Sequence, residues 1–168
     1  MIRFRATWWQ AALFAAGVVA IERLARTAGK NADPRFYDAV KRPTWSPPAW
    51  LFAPVSAALA SAQIWGDVRL LRRPSRKTAL VALQAASWTA LLAATPAFFR
   101  LRSPRLAFAS NVVQAATTVA SIVLARRVDA RAALALAPTA AWLGYALPVN
   151  GWIAARNADP FLHQAPLR

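Results

Sequence analysis

Cysteine is absent from this sequence, histidine occurs once and acidic residues occur only six times. Without cysteine there are no disulfide bonds, no thiolate catalysis and no metal site built on thiolates. The single histidine, His163, is not accompanied by a second ligand that would make it a metal site. There is also no Ser-His-Asp set, no paired-carboxylate motif and no phosphate-binding loop. We therefore predict no catalytic residues, no metal and no enzyme.

The acidic residues show no signature of a proton relay or of ion coupling. All of them fall in connections or near the ends of apolar segments: Glu22, Asp33, Asp38, Asp67, Asp129 and Asp159. A carboxylate in the middle of a membrane span is typical of a proton relay or an ion path. The sequence lacks that pattern.

Basic residues dominate the charge, since 21 lysines and arginines give a net charge of +15. They lie mostly between the apolar segments or at their ends, where they can contact lipid phosphates. A soluble protein with this charge would suggest nucleic-acid binding. Because 58% of the residues are hydrophobic, we predict membrane lipids as partners and no nucleic acid.

Five apolar segments approach the roughly 20 residues that a helix needs to cross a bilayer. They cover residues 6–24, 47–71, 77–99, 104–125 and 131–156, and residues 25–46 form the one long connection. The other connections are short, which favours antiparallel neighbours in a bundle. We predict a single all-α domain over residues 1–168, a polytopic membrane protein with a five-transmembrane-helix bundle.

The start of the second segment has the most distinctive sequence, because Trp45 and Trp50 bracket a Pro-Pro pair there. Tryptophans at such a boundary are typical of a membrane-interface anchor. We predict that Ser46 caps this helix and that Pro47 is its first residue, where a missing N–H has no cost. Pro54, inside the segment, is expected to bend it.

Three further patterns each allow two interpretations. A stripe of small residues on the third segment either packs within one subunit or forms a homodimer face: Ala82, Ala86, Ala90 and Ala94. Polar residues on one face of the fourth segment must point inward in hydrocarbon, either to bond other helices, which we favour, or to line a cavity: Asn111, Gln114, Thr118 and Ser121. On the fifth segment, side chains near a proline kink either stack on a flat ligand or form core and interface contacts: Trp142, Tyr145, Asn150 and Trp152.

At these positions the chain resembles the TspO family, also called translocator protein or tryptophan-rich sensory protein. That family begins its second helix with a pattern close to W-Y-x-x-L-x-K-P-x-W-x-P-P-x-W-x-F-x-P-V, which residues 36–55 follow at most fixed positions. A second family signature, P-Y-x-x-W-x-x-F-A-x-x-L-N, falls in the fifth segment. It is matched there by Pro138, Trp142, Tyr145, Ala146, Val149 and Asn150, and Asn157 fits a further asparagine.

The resemblance implies a five-helix bundle, a homodimer and a cavity closed by the loop of residues 25–46. It also implies binding of a tetrapyrrole, protoporphyrin IX or haem, or of a sterol-like lipid, in sensing, transport or stress regulation, with no cofactor required. The retained residues that it assigns to the ligand are Trp45, Trp50, Phe52, Trp88, Trp142, Tyr145 and Asn150. From their charge alone, arginines of the first loop are expected to pair with propionates.

The chain departs from the family pattern at three pocket positions, where Ser56, Ala60 and Ala85 replace two aromatic residues and an amide. Smaller side chains there enlarge the pocket and remove stacking surface, so we expect an altered ligand preference. One alternative is therefore a divergent member without the tetrapyrrole site that acts as a structural or interaction protein. Another is porphyrin degradation, an activity ascribed to some relatives. The high alanine and arginine content suggests a GC-rich bacterial genome, so we expect a multi-pass protein of a bacterial cell membrane.

Overall fold

The computed structural model describes residues 34–72 and 77–167. These ranges contain a short helix and four long ones: α1 (Pro34–Ala39), α2 (Ala49–Leu71), α3 (Lys77–Phe99), α4 (Pro104–Ala125) and α5 (Ala130–Arg156). No strand occurs within these ranges, apart from one isolated bridge between Asp159 and Gln164. The predicted all-α membrane fold is confirmed. The predicted first segment, residues 6–24, lies outside the described residues.

Three of the helices are long and apolar enough to cross a membrane: Thr78–Phe99, Pro104–Ala125 and Ala130–Arg156. Helix α2 has a similar length but carries Asp67 and Arg69 near its end. Proline occurs inside α2, α3 and α5, as Pro54, Pro96, Pro138 and Pro148. Neighbouring helices can compensate for the backbone groups that such prolines free in a membrane.

The helices begin in two different ways. Ser103 Oγ accepts a hydrogen bond from the Leu106 amide at the start of α4, and the Asp129 carboxylate accepts from two amides at the start of α5. These are ordinary N-caps. Helix α2 instead follows Pro48, which is extended and makes no side-chain cap, so the prediction that Ser46 caps a helix beginning at Pro47 is wrong. The reason is steric, because a residue that precedes a proline, as Pro47 does, is disfavoured in the helical region.

Helices α3, α4 and α5 pack side by side, and α2 packs mainly on α5 and less extensively on α3. A close approach of α2 to α5 is possible at Gly66, where a Cβ atom would lie 3.2 Å from the Ala132 carbonyl oxygen and 3.2 Å from Ala135 Cβ. The same crossing is fixed by Arg69, whose guanidinium Nη2 lies 2.8 Å from Asp129 Oδ2. A close backbone approach and an ion pair therefore join α2 to α5.

Polar side chains connect three helices inside the bundle. Gln63 Nε2 donates to Gln84 Oε1 at 3.0 Å and to Ser87 Oγ at 3.4 Å. Ser87 Oγ in turn lies 3.3 Å from Thr118 Oγ1. All four residues are buried. In hydrocarbon, hydrogen bonds of this kind between helices help to fix how each helix is rotated about its own axis.

The alanine stripe of α3 does not present one uniform surface. Ala82 is exposed and Ala86 is half-buried, whereas Ala90 is buried within the chain and Ala94 lines an internal cavity. Half of the stripe therefore packs within one subunit. The homodimer itself stays a prediction.

We expect that Gly66→Val destabilises the protein by about 1–3 kcal/mol, because the added methyl groups would meet the backbone of α5. The matched control is Gly144→Val on α5, where a Cβ atom meets nothing within 4 Å. Thermal unfolding followed by circular dichroism in detergent micelles measures both. Equal unfolding temperatures for the two variants would show that α2 and α5 do not approach closely at Gly66.

Candidate functional site

A cavity of about 170 Å³ lies among α2, α3, α4 and α5, with Tyr37 of α1 at one side. Its aromatic lining consists of Tyr37, Phe52, Phe98, Phe99 and Trp142. Its polar lining consists of Ser56, Gln63, Thr95, Asn111, Gln114, Thr139 and Asn150. Alanine and leucine side chains form the remainder, and no charged side chain lines the cavity among the described residues. This combination of apolar walls and a few polar groups is typical of a small-molecule site.

Aromatic rings lead from the cavity to the protein surface. The ring centroids of Phe52 and Trp142 are 6.3 Å apart, those of Trp142 and Tyr145 are 5.6 Å apart, and those of Tyr145 and Trp45 are 6.3 Å apart. Trp45 is 49% exposed and Tyr145 is 38% exposed. We call Phe52, Trp142, Tyr145 and Trp45 the aromatic path. Its outer end offers ring faces to a flat ligand.

Three hydrogen-bonded contacts hold the segment before α2 in place. Tyr37 donates its hydroxyl to the Pro47 carbonyl at 2.8 Å, and Tyr145 donates its hydroxyl to the Trp45 carbonyl at 2.7 Å. The Asn157 side-chain amide accepts from the Lys41 amide at 2.8 Å and donates to the Lys41 carbonyl at 2.9 Å. Helix α5 and the residue that follows it therefore position the segment that carries Trp45.

One cation lies close to the cavity but outside its lining. The Arg42 guanidinium carbon lies 4.3 Å from the centroid of the Tyr37 ring, and Arg42 Nη2 lies 3.3 Å from Asp38 Oδ1. Asp38 is well exposed, and exposed ion pairs of this kind are weak. Arg42 can therefore exchange its partner for a ligand carboxylate without a large cost.

The residues after α5 fold back onto the start of α4. The buried Asp159 carboxylate accepts hydrogen bonds from Ser103 Oγ at 2.7 Å, from the Arg105 amide at 3.1 Å and from the Leu162 amide at 3.0 Å. The Arg105 guanidinium bonds the Gln164 side chain and the Ala165 carbonyl. Burial alone would raise the pKa of Asp159, but these hydrogen bonds and the Arg105 charge outweigh it and hold the pKa below its usual value.

The polar face of α4 has both roles considered from the sequence: part of it lines the cavity, and part of it bonds another helix. Asn111 and Gln114 line the cavity. Thr118 bonds Ser87, and Ser121 is completely buried. The face points inward along its whole length, as expected for polar groups in hydrocarbon.

The structure brings together some of the residues that the resemblance assigns to a ligand. Phe52, Trp142 and Asn150 line the cavity, and Tyr145 and Trp45 continue outward along the aromatic path. Two tryptophans lie elsewhere. Trp50 is 71% exposed, and Trp88 Nε1 donates instead to Asp67 Oδ2 at 2.8 Å.

The three departures from the family pattern are also separated. Ser56 and Ala60 line the cavity, whereas Ala85 is exposed on α3 and is not part of the lining. Of the three positions, only the two on α2 can therefore change the ligand preference through the cavity wall.

The cavity also contains two buried polar residues that were not among the predicted pocket positions, Gln63 and Thr139. Gln63 lies seven residues after Ser56 and three after Ala60, so helical spacing places it on the face that carries both. Thr139 lies three residues before Trp142, on the same face of α5. Their helical spacing from the predicted pocket positions is therefore the sequence signal that indicates both residues.

Comparison with known proteins identifies a family. The model of the TspO/MBR family matches residues 10–155. The translocator protein of Ovis aries is 31% identical over 120 residues, which are 69% of this chain and 71% of that protein. The translocator proteins of Homo sapiens and Bos taurus are 28% and 29% identical over the same shares.

We expect that Asp159→Asn destabilises the protein at pH 7 by about 1–3 kcal/mol, because buried hydrogen bonds to a charged acceptor are weakened. The Asp159 pKa is lowered on folding, so its stabilisation is complete above the unfolded pKa of about 3.9 and is lost as the pH falls through the folded value. Thermal unfolding between pH 3 and 7 should show the difference between wild type and variant shrinking at low pH.

The control for this prediction is Asp38→Asn, which changes an exposed carboxylate and should have little effect. A difference between wild type and Asp159→Asn that stays constant over this pH range would contradict the assigned role of the Asp159 charge.

Proposed function

The chain belongs to the TspO/MBR family and is an integral multi-pass membrane protein, and we propose that it binds protoporphyrin IX, haem or a similarly flat apolar ligand. Family membership supports a membrane role in binding, transport or sensing. The observation that carries the finer proposal is the aromatic path, which joins a cavity inside the bundle to exposed rings at the surface. The function would be sensing, transport or stress-linked regulation.

The cavity size limits how a tetrapyrrole would bind. A volume of about 170 Å³ is below the roughly 300–1,000 Å³ of common ligand pockets. One edge of the macrocycle would therefore enter between Phe52 and Trp142, and the rest would lie against Tyr145 and Trp45. A flat apolar ring suits this path, because it can stack on several rings at once.

The charges favour one orientation of such a ligand. The cavity lining has no charged side chain among the described residues, and an ionised carboxylate would lose its hydration there without a partner. Arg42 lies beside the Tyr37 ring, at the edge of the lining. We therefore place the propionates at the outer edge, next to Arg42.

A second function is favoured by Ser56 and Ala60, small residues of the cavity wall that provide no ring for stacking. A chain that has lost tetrapyrrole binding could keep the bundle and act as a structural or interaction protein in the membrane. Porphyrin degradation is a third function, and it predicts light- or oxygen-dependent products that disappear in tryptophan variants.

We expect saturable binding of protoporphyrin IX and haem at micromolar or lower Kd, measured by quenching of tryptophan fluorescence in nanodiscs. Trp142→Ala should weaken binding by about fivefold or more, because a central ring of the aromatic path is lost. Trp65→Ala is the matched control, since Trp65 lies on α2 outside the cavity lining and contacts Arg69.

Absence of saturable binding in a sample with intact helical circular dichroism would overturn the proposal in favour of the structural function. Equal affinities of wild type and Trp142→Ala would mean that the ligand binds outside this cavity. Chromatography of the illuminated mixture tests for degradation products in the same samples.

A further inference from the structure

Three exposed arginines lie close together in sequence where α4 turns into α5. Arg126 follows the last residue of α4, Arg127 lies in the turn and Arg131 is the second residue of α5. We call these three residues the arginine turn. It lies at the end of the bundle opposite to the segment that carries Trp45.

The acidic residues near this end do not neutralise the arginine turn. Within the described ranges they are Asp67 and Asp129. Asp129 is buried and its carboxylate is bound by Arg69. Asp67 Oδ2 accepts from Trp88 Nε1, and Asp67 Oδ1 is fully buried. The described part of this end therefore exposes cations without an exposed carboxylate beside them.

The opposite end of the bundle is different, because several of its cations already have partners in the protein. Arg42 pairs with the exposed Asp38, and the Arg105 guanidinium bonds the Gln164 side chain. In the described part of the chain, no hydrogen bond or ion pair involves the side chains of the arginine turn. Its guanidinium groups therefore keep their full capacity to bind an external anion.

Both helices that meet at this turn expose a row of apolar residues. The row on α4 leads to Arg126 and consists of Ala116, Val119 and Val123. The row on α5 starts from Arg131 and consists of Leu134, which is 71% exposed, Pro138 and Ala141. Spacings of three and four residues keep each row on one face of its helix.

The length of the two rows suits the acyl chains of one membrane leaflet. Each row and its arginine span ten residues, or about 15 Å at 1.5 Å per residue. A hydrocarbon core about 30 Å thick gives each leaflet about the same depth. The cations therefore lie at headgroup level when the rows contact acyl chains.

From this arrangement we infer that the arginine turn binds the phosphate of an anionic phospholipid, whose acyl chains lie along the two apolar rows. Guanidinium groups bind phosphate oxygens through paired, charge-assisted hydrogen bonds. A zwitterionic headgroup also carries an ammonium group, for which the described part of this end has no exposed carboxylate. A headgroup with a net negative charge is therefore favoured. The inference goes beyond the proposed function and does not depend on the cavity or its ligand.

The test measures which lipids stay bound to the full chain. The protein is held in detergent micelles that contain equal amounts of palmitoyl-oleoyl phosphatidylglycerol and palmitoyl-oleoyl phosphatidylcholine, and native mass spectrometry counts the lipids that remain on it. We expect wild type to retain phosphatidylglycerol at least about fivefold more than phosphatidylcholine, because basic clusters beside a membrane helix attract anionic lipids.

A triple variant removes the charges of the arginine turn: Arg126→Gln, Arg127→Gln and Arg131→Gln. We expect its preference for phosphatidylglycerol to fall below about twofold. The matched control removes the same number of charges from exposed positions at the opposite end of the bundle, Arg100→Gln, Arg102→Gln and Arg156→Gln, and should keep the preference of wild type. Helical circular dichroism and unfolding temperatures establish that both variants are folded.

A dissolved phosphate is the competing occupant, since it has the same charge but no acyl chains. Glycerol phosphate, added at the concentration of the lipids, should leave the retained phosphatidylglycerol unchanged. If it displaces the lipid, the site binds a free phosphate and the inference is wrong.

Two further outcomes would also overturn the inference. Equal retention of the two lipids by wild type would show that the arginine turn does not select an anionic headgroup. An equal loss of preference in the two triple variants would show that total charge, and not this site, determines which lipid is retained.

Discussion

The carboxylate of Asp129 is the contact on which the arrangement of the helices depends most. It caps α5 by accepting from the Arg131 and Ala132 amides, and it also accepts from the Arg69 guanidinium of α2. One buried group thereby fixes where α5 begins and where α2 lies against it. Because a buried charged pair is strongly destabilising when one partner is removed, a shift of either helix that broke these contacts would be costly.

The α2–α5 contact fixed at this end determines the cavity further along. Gly66 brings the two backbones close, and Gln63, one turn earlier, lies inside the bundle with its amide held by α3. At the far end of the same pair, Phe52 and Trp142 meet edge to face. The distance between α2 and α5 therefore controls both the buried polar part of the cavity, at Gln63 and Thr139, and the inner part of the aromatic path. A ligand that widens the cavity would have to act against this contact.

The sequence signature of the segment before α2 predicted a specialised helix start, but it did not predict which groups hold the segment in place. Its tryptophans and prolines indicated a specialised entry to the helix, and prolines do precede α2. The expected serine cap is absent, because consecutive prolines keep the chain extended. The segment is held instead by the nearby Tyr37 hydroxyl and by two groups 100 and 116 residues away from their partners, the Tyr145 hydroxyl and the Asn157 amide. No local pattern contains such information.

The sequence by itself determined the helical membrane fold, the family and the inward direction of the polar face on α4. These depend on apolar length, helical period and residue type, which act within one segment. The tertiary structure decided which polar groups meet: Trp88 with Asp67, Gln63 with Gln84, and Asp159 with Ser103. It also placed Thr139 in the cavity and Ala85 outside it. Such pairings depend on the rotation and axial offset of one helix against another. Those quantities are set by packing across the whole bundle, because side chains distant in sequence must fill one shared interior.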